Sequence, residues 1–283
     1  MLFGKLHGDS FALPSFLCRV ILAALVALAA VRCSAPALGA QETDFTPYAR
    51  AADFCRGNVT RPIALSPDRK LLCFDGPMLP GQDYSIAAGL EEGGFFVVRS
   101  SGGYPQMALQ LANFLEARGA IAVVYDYCLS ACAEFLLIAS TEAIVLRETL
   151  VAWHNTNDPH YCPRWTEARD GGPKRFEKLP CPDASGYEEA QQRFERITYP
   201  FFRRRLVQAD FEMPPESIAV RKRLRDLFEA KASCPVDLLW MWHPRYYAGT
   251  IKTKVLYEKY PESQREVNAL ASRLPLLEVY YDP

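Results

Sequence analysis

The chain is short of histidine, of paired metal-binding motifs and of excess charge, and each shortage narrows what it can do. Its four histidines and nine cysteines, spread over 283 residues, form no Cys-x-x-Cys or His-x-x-x-His pair. Those are the tight spacings that hold zinc. His154, His160, Cys162, Cys181 and His243 are scattered, with only His160 and Cys162 two apart, so neither a metal nor a cofactor is expected. The 32 basic residues stand against 33 acidic ones, a balance that creates no field to attract nucleic acid or an anionic membrane. The basic groups Arg203–Arg205 and Arg221, Lys222, Arg223, Arg225 fall on expected helices, where solvated faces account for them. No internal repeat or low-complexity tract is present, which excludes solenoids and arrays. After residue 40 no apolar run approaches the ~20 residues that cross a bilayer.

The beginning of the chain is patterned differently. Lys5 and Arg19 precede the apolar run Val20 to Val31, and the small residues Ala35, Ala37, Gly39 and Ala40 follow it. Positive region, apolar stretch and small-residue site, in that order, make a secretory signal. Residues 1–40 are therefore expected to be removed and 41–283 to form a single exported domain, periplasmic or secreted. Contact with a membrane is expected only if the leader stays uncleaved. The remainder carries 29 basic and 32 acidic residues. It keeps seven cysteines, Cys55, Cys73, Cys128, Cys132, Cys162, Cys181 and Cys234, and export permits disulfides. The odd number leaves at least one cysteine outside an intramolecular bridge. The leading expected pair is Cys162–Cys181, which brackets a polar loop rich in Pro, Gly and Asp; closing it would stabilise by roughly 3 kcal/mol. Cys55–Cys73 is the second.

Hydrophobic patterning along the exported part predicts an irregular lead-in over 41–66 and a strand from Lys70 to Phe74. A short helix is expected from Tyr84 to Leu90. Phe95-Phe96-Val97-Val98 is a continuous apolar strand of the buried, parallel kind. A helix follows from Pro105, with Ala108, Leu111, Ala112 and Leu115 at helical spacing and Gly119 as its stop. Ile121–Tyr125 is the next buried strand, Ala131–Ser140 the next helix, and Ala143–Leu146 and Val151–Trp153 two short strands. This alternation predicts an α/β fold on a mostly parallel sheet. Residues 155–185 break the rhythm and read as an insertion. Helices are expected at 187–208, 217–232 and 262–273. Leu239, Trp242 and Tyr246 are spaced as one helix face.

Three places could carry chemistry. Ser130, in Cys128-Leu129-Ser130-Ala131-Cys132, stands where a buried strand runs into an apolar helix. It is either a helix N-cap or a nucleophile on a strand-to-helix turn, where backbone N–H groups can stabilise an oxyanion. His154 closes the strand Val151-Ala152-Trp153. In a parallel sheet, sites gather at the carboxyl ends of strands, so a histidine there can reach Ser130 and activate its hydroxyl; a structural role is the other reading. Ser100-Ser101-Gly102-Gly103 ends the preceding strand, and its glycines permit conformations closed to other residues.

The run Phe95 to Gly103 resembles the strand and Ser-x-Gly-Gly turn of the Clp protease proteolytic subunit and its signal-peptide-peptidase relatives. The Ser130-Ala131 joint is similar to that family's nucleophile elbow, and His154 follows 24 residues later, close to the family's interval. The segment from Asp237 to Gly249 resembles the one that carries the family's aspartate. The Cys-x-Ser-Ala-Cys variant is similar to that of exported Clp-like proteins. The resemblance is close over residues 70–154 and looser over 187–255. It implies a ββα superhelix of crotonase/Clp-protease type with a C-terminal helical extension. It also implies a serine hydrolase acting on peptide or other acyl bonds. Ser130 would be the nucleophile, His154 the general base and Asp237 the orienting carboxylate, with Asp210 in reserve. Gly102 and Ala131 would give the oxyanion hole. Cys128 and Cys132 are left as packing residues, a redox element or partners of Cys234. Folds of this type also host non-catalytic binding and assembly proteins, often as homo-oligomers.

Overall fold

Apolar runs with no polar alternation can be buried only between two covering layers, and the central strands are placed that way. The computed structural model describes residues 43–58, 62–153, 161–166, 175–180, 184–207, 237–274 and 277–281. Among the described residues helix α1 (Thr46–Asn58) comes first, where an irregular lead-in was expected. Asp44 accepts the Thr46 N–H ahead of it, and Ala51, Ala52 and Cys55 are its buried face. Strands β1 (Ile63–Leu65) and β2 (Leu71–Asp75) form an antiparallel pair. From β2 the sheet continues in parallel through β3 (Phe95–Ser100), β4 (Ile121–Leu129) and β5 (Glu142–Val145).

Successive residues of these strands point to opposite layers. Phe96, Val98, Ala122, Val124, Ala143 and Val145 join the core beneath α2 (Pro105–Ala117), and Val97, Val123 and Ile144 join a smaller core beneath α1. Helix α2 buries Ala108, Leu109, Leu111, Ala112 and Leu115, and Gly119 follows it at φ +58°, as the spacing predicts. A disulfide between Cys55 of α1 and Cys73 of β2 fastens the smaller layer to the sheet. By loop-closure entropy this bond stabilises by about 3 kcal/mol.

Strand β4 changes partner along its length. Ile121–Val124 pair with β5, whereas Tyr127–Leu129 pair with β6 (Leu150–Ala152). Between the two halves Asp126 has φ +56°, and the β3–β4 register shifts between Val98 and Ser100. Arg99 holds this bend. Its guanidinium makes paired bonds to Asp75 and a third to Asp126, and it lies over the Tyr125 ring, as does that of Arg56. Beyond the bend the end of β4 pairs with β6 and leads into Ser130.

The expected insertion contains an antiparallel hairpin, β7 (Tyr161–Thr166) with β8 (Arg175–Pro180). Cys162 lies on β7, but Cys181 lies outside the described residues, and so does the pair. Helix α3 (Ala184–Arg205) follows. Phe194, Phe201 and Phe202 on it surround Phe135. Arg205 departs from the solvated role read for its cluster. It is partly buried and donates to the carbonyls of Ile138 and Ser140, both at 2.6 Å.

Among its described residues the C-terminal part mixes strands with helices, where a helical extension was expected. The described residues include β9 (Asp237–Met241), the four-residue helix α4 (Tyr247–Thr250), β10 (Lys254–Tyr257), α5 (Gln264–Ala271) and β11 (Leu277–Tyr281). Strand β10 pairs in parallel with β5 and completes the seven-stranded sheet. Strands β9 and β11 pair in parallel. The Leu239–Trp242 stretch is thus extended: Leu239 and Met241 enter one core cluster and Trp240 another, the alternation of a strand buried on both sides. The expected helix at 217–232 lies outside the described residues.

Candidate active site at the Ser130 turn

The bent end of β4 delivers Ser130 into a sharp turn. Its N–H donates to the carbonyl of Ala152 on β6, and its own carbonyl accepts from Glu134 N–H, both at 3.0 Å. Ser130 has φ +54°, a left-handed conformation that costs a non-glycine residue on the order of 1–3 kcal/mol. A capping serine is extended instead. The conformation at Ser130 is that of a tight strand-to-helix elbow. Such a cost persists only where the surroundings impose the shape, and two features impose it.

The first is Gly102, buried and at φ +93°. A Cβ on this residue would stand 2.7 Å from the Leu129 carbonyl oxygen, 2.8 Å from Ser130 Cβ and 3.1 Å from Ala131 N. Only glycine lets the backbone after β3 approach the Ser130 turn this closely. The next residue, Gly103 at φ +135°, is similarly pressed against Met78, with a Cβ position 2.3 Å from the Met78 carbonyl oxygen. Met78 N–H donates to Gly102 and Tyr104 N–H to Met78, which fixes the turn from its other side.

The second is a disulfide between Cys128 and Cys132, whose Cα atoms are 5.3 Å apart and whose side chains are fully buried. It links the end of β4 to the start of the helix, with Ser130 midway. Of the readings open for these cysteines, packing alone and pairing with Cys234 give way to this bond. The loop it closes is short, so its entropic contribution is about 2 kcal/mol, less than that of Cys55–Cys73. Its main effect is local.

The helix after the elbow begins as a π-helix, Cys132–Leu137. Such widened turns are uncommon and cluster at functional sites. Cys132, Ala133, Phe135, Leu136 and Leu137 are buried in it. Glu134 is the exception in type: a carboxyl one turn beyond Ser130, pushed up to about 7 by burial. The far end is held by Arg205 and by Thr253, whose hydroxyl donates to Ile138 and Ser140.

The structure therefore brings Gly102, Ser130 and Ala131 together. His154 and the reserve Asp210 lie outside the described residues. Trp153, immediately before His154, is anchored firmly: it exchanges backbone hydrogen bonds of 2.9 and 2.8 Å with Trp240, and its ring stacks on Trp242 at 5.0 Å. Behind Trp242 the rings of Tyr247, Tyr257, Tyr260 and His243 continue in mutual contact, and burial pushes Tyr247 up to about 12. Asp237 opens β9, three residues before Trp240. Among the described residues no three His, Cys, Asp or Glu side chains come together to hold a metal ion.

Sequence reading missed Glu134 and the Cys128–Cys132 bond. The signal for the first was a lone carboxyl in an otherwise apolar helix, and for the second two cysteines four residues apart across a strand–helix joint. No family model matches the chain, and no curated protein matches its sequence.

Proposed function

We propose that the chain is an exported serine hydrolase, peptidase-like in chemistry and of crotonase/Clp-protease type in fold. The observation that carries the reading is the contact of Gly102 with the Leu129–Ala131 backbone around a left-handed Ser130. A serine strained into a turn, with the backbone of a neighbouring strand end against it, suits attack on a carbonyl followed by stabilisation of the resulting oxyanion. In this reading Ser130 Oγ attacks the acyl carbon while His154 takes its proton, then returns it to the leaving group. Asp237 orients the imidazole and stabilises its charged form. The N–H groups of Gly102 and Ala131 receive the oxyanion. Two disulfides among the described residues belong to an oxidising compartment, which supports a periplasmic or secreted location. Among the described residues no helix is long and apolar enough to cross a membrane.

One observation favours a second reading, a non-catalytic binding or assembly protein on the same scaffold. Gly102 N–H already donates to the buried Ser100 hydroxyl at 3.1 Å, so this donor must exchange partners before it can serve an oxyanion. Fluorophosphonate labelling of the purified protein separates the two. Stoichiometric labelling, abolished by Ser130→Ala with the fold intact, supports the hydrolase; folded protein that takes no label supports the binder.

A further inference from the structure

We infer that Cys128 and Cys132 are positioning residues for Ser130, and that their disulfide holds the turn in the conformation hydrolysis requires. The inference rests on the hydrolase reading above and adds to it a dependence on oxidation. Other contacts that shape the elbow include hydrogen bonds from Ser130 N–H to Ala152 and from Glu134 N–H to Ser130, and the approach of Gly102. Hydrogen bonds can be exchanged for water as a segment opens; a covalent link between β4 and the helix cannot. The two sulfurs enclose only Leu129, Ser130 and Ala131, the residue at φ +54° and its two neighbours. With the link cut, nothing covalent opposes relaxation of Ser130 to a negative φ, which would re-aim its hydroxyl and shift it relative to the Gly102 backbone.

The link forms by exchange. A disulfide-bearing oxidant, protein or small molecule, accepts attack by one cysteine thiolate. The second cysteine displaces the mixed disulfide, and the oxidant leaves as two thiols while Cys128 and Cys132 become one disulfide. Two electrons and two protons pass to the oxidant, and nothing else is consumed. The chain would thus be slow to react while reduced and competent once it reaches an oxidising compartment.

Two readouts test this: the rate of fluorophosphonate labelling, and hydrogen exchange at the Ser130 and Glu134 amides. The variants are C128A/C132A and, as a control for general loss of stability, C55A/C73A. The expected result is at least tenfold slower labelling and at least tenfold faster exchange at both amides in C128A/C132A. C55A/C73A should label at the parent rate although its thermal midpoint falls as far or further. Equal labelling of the parent and C128A/C132A overturns the inference, as does unchanged exchange at the two amides. A parent that takes no label overturns the hydrolase reading instead, and the exchange measurement still decides whether the disulfide sets the turn. Should C128A/C132A fail to fold, C55A/C73A treated with dithiothreitol carries the same expectations on a protein whose only described disulfide is the one at the elbow.

Discussion

Gly102 and Ser130 share one space: a Cβ added to Gly102 would lie 2.8 Å from Ser130 Cβ and 2.7 Å from the Leu129 carbonyl oxygen. Gly102→Ala therefore meets two penalties. Its φ of +93° is unsuited to a side chain, at roughly 1–3 kcal/mol, and the methyl group must displace backbone that the Cys128–Cys132 bond holds in place. We expect a loss of about 3 kcal/mol in urea unfolding and at least tenfold slower labelling of Ser130. Gly57→Ala is the matched control, because a Cβ there meets nothing within 4 Å; it should label at the parent rate.

Ser130 itself should be worse for stability than glycine. At φ +54° a glycine relieves left-handed strain, worth about 1 kcal/mol. Ser130→Gly is expected to be more stable than the parent by that amount in chemical denaturation while taking no fluorophosphonate. Ser130→Ala keeps the strained backbone, so it should gain nothing. Equal stability of the two variants would mean that the strain is no larger than the chain entropy glycine adds to the unfolded state.

How much of this was legible follows from how local each signal is. The three parallel strands from Phe95 to Val145 and helix α2 were readable because their burial is written in unbroken apolar runs and regular spacing. Gly102, Ser130 and Ala131 were readable as a group because strand ends in parallel sheets converge. Helix α1 was not, since its apolar face is narrow and its position depends on a bond between Cys55 and a strand 18 residues away. Leu239 and Trp242 were misplaced for a similar reason: their spacing with Tyr246 fits a helix, but pairing with β11, some forty residues along, makes Asp237–Met241 a strand. Arg205 read as solvated because nothing in sequence tells which member of Arg203-Arg204-Arg205 faces the carbonyls of Ile138 and Ser140.

Phe201 tests the docking of α3. Its ring is buried and stacks on Phe135 of the π-helix at 5.7 Å, so Phe201→Ala should cost about 3–5 kcal/mol through a cavity. Because Arg205 still grips the helix end and the elbow is held covalently, labelling of the folded variant should stay within about twofold of the parent. A collapse of labelling at temperatures where circular dichroism shows native structure would place Phe201 in control of the site.

Glu134 should make stability fall as pH rises. Burial moves its carboxyl from an ordinary value of 4.5 up to about 7 in the folded chain. Below the unfolded value both states hold the proton, and the residue costs nothing. Between about 4.5 and 7 the unfolded chain releases its proton while the folded chain retains it, so the folded state loses ground with each unit; above 7 the penalty is complete and constant. At about 1.4 kcal/mol per unit the full displacement would give roughly 3 kcal/mol. The side chain keeps some exposed surface, which brings the expected value nearer 2 kcal/mol by solvent screening. Glu134→Gln removes the titration. Urea unfolding from pH 4 to pH 8 should show the two proteins converging at the acid end and the variant ahead by about 2 kcal/mol at the alkaline end. Parallel curves across that range would mean that the carboxyl reaches water in the folded protein. The helix beyond Ser130 would then be open at its second turn.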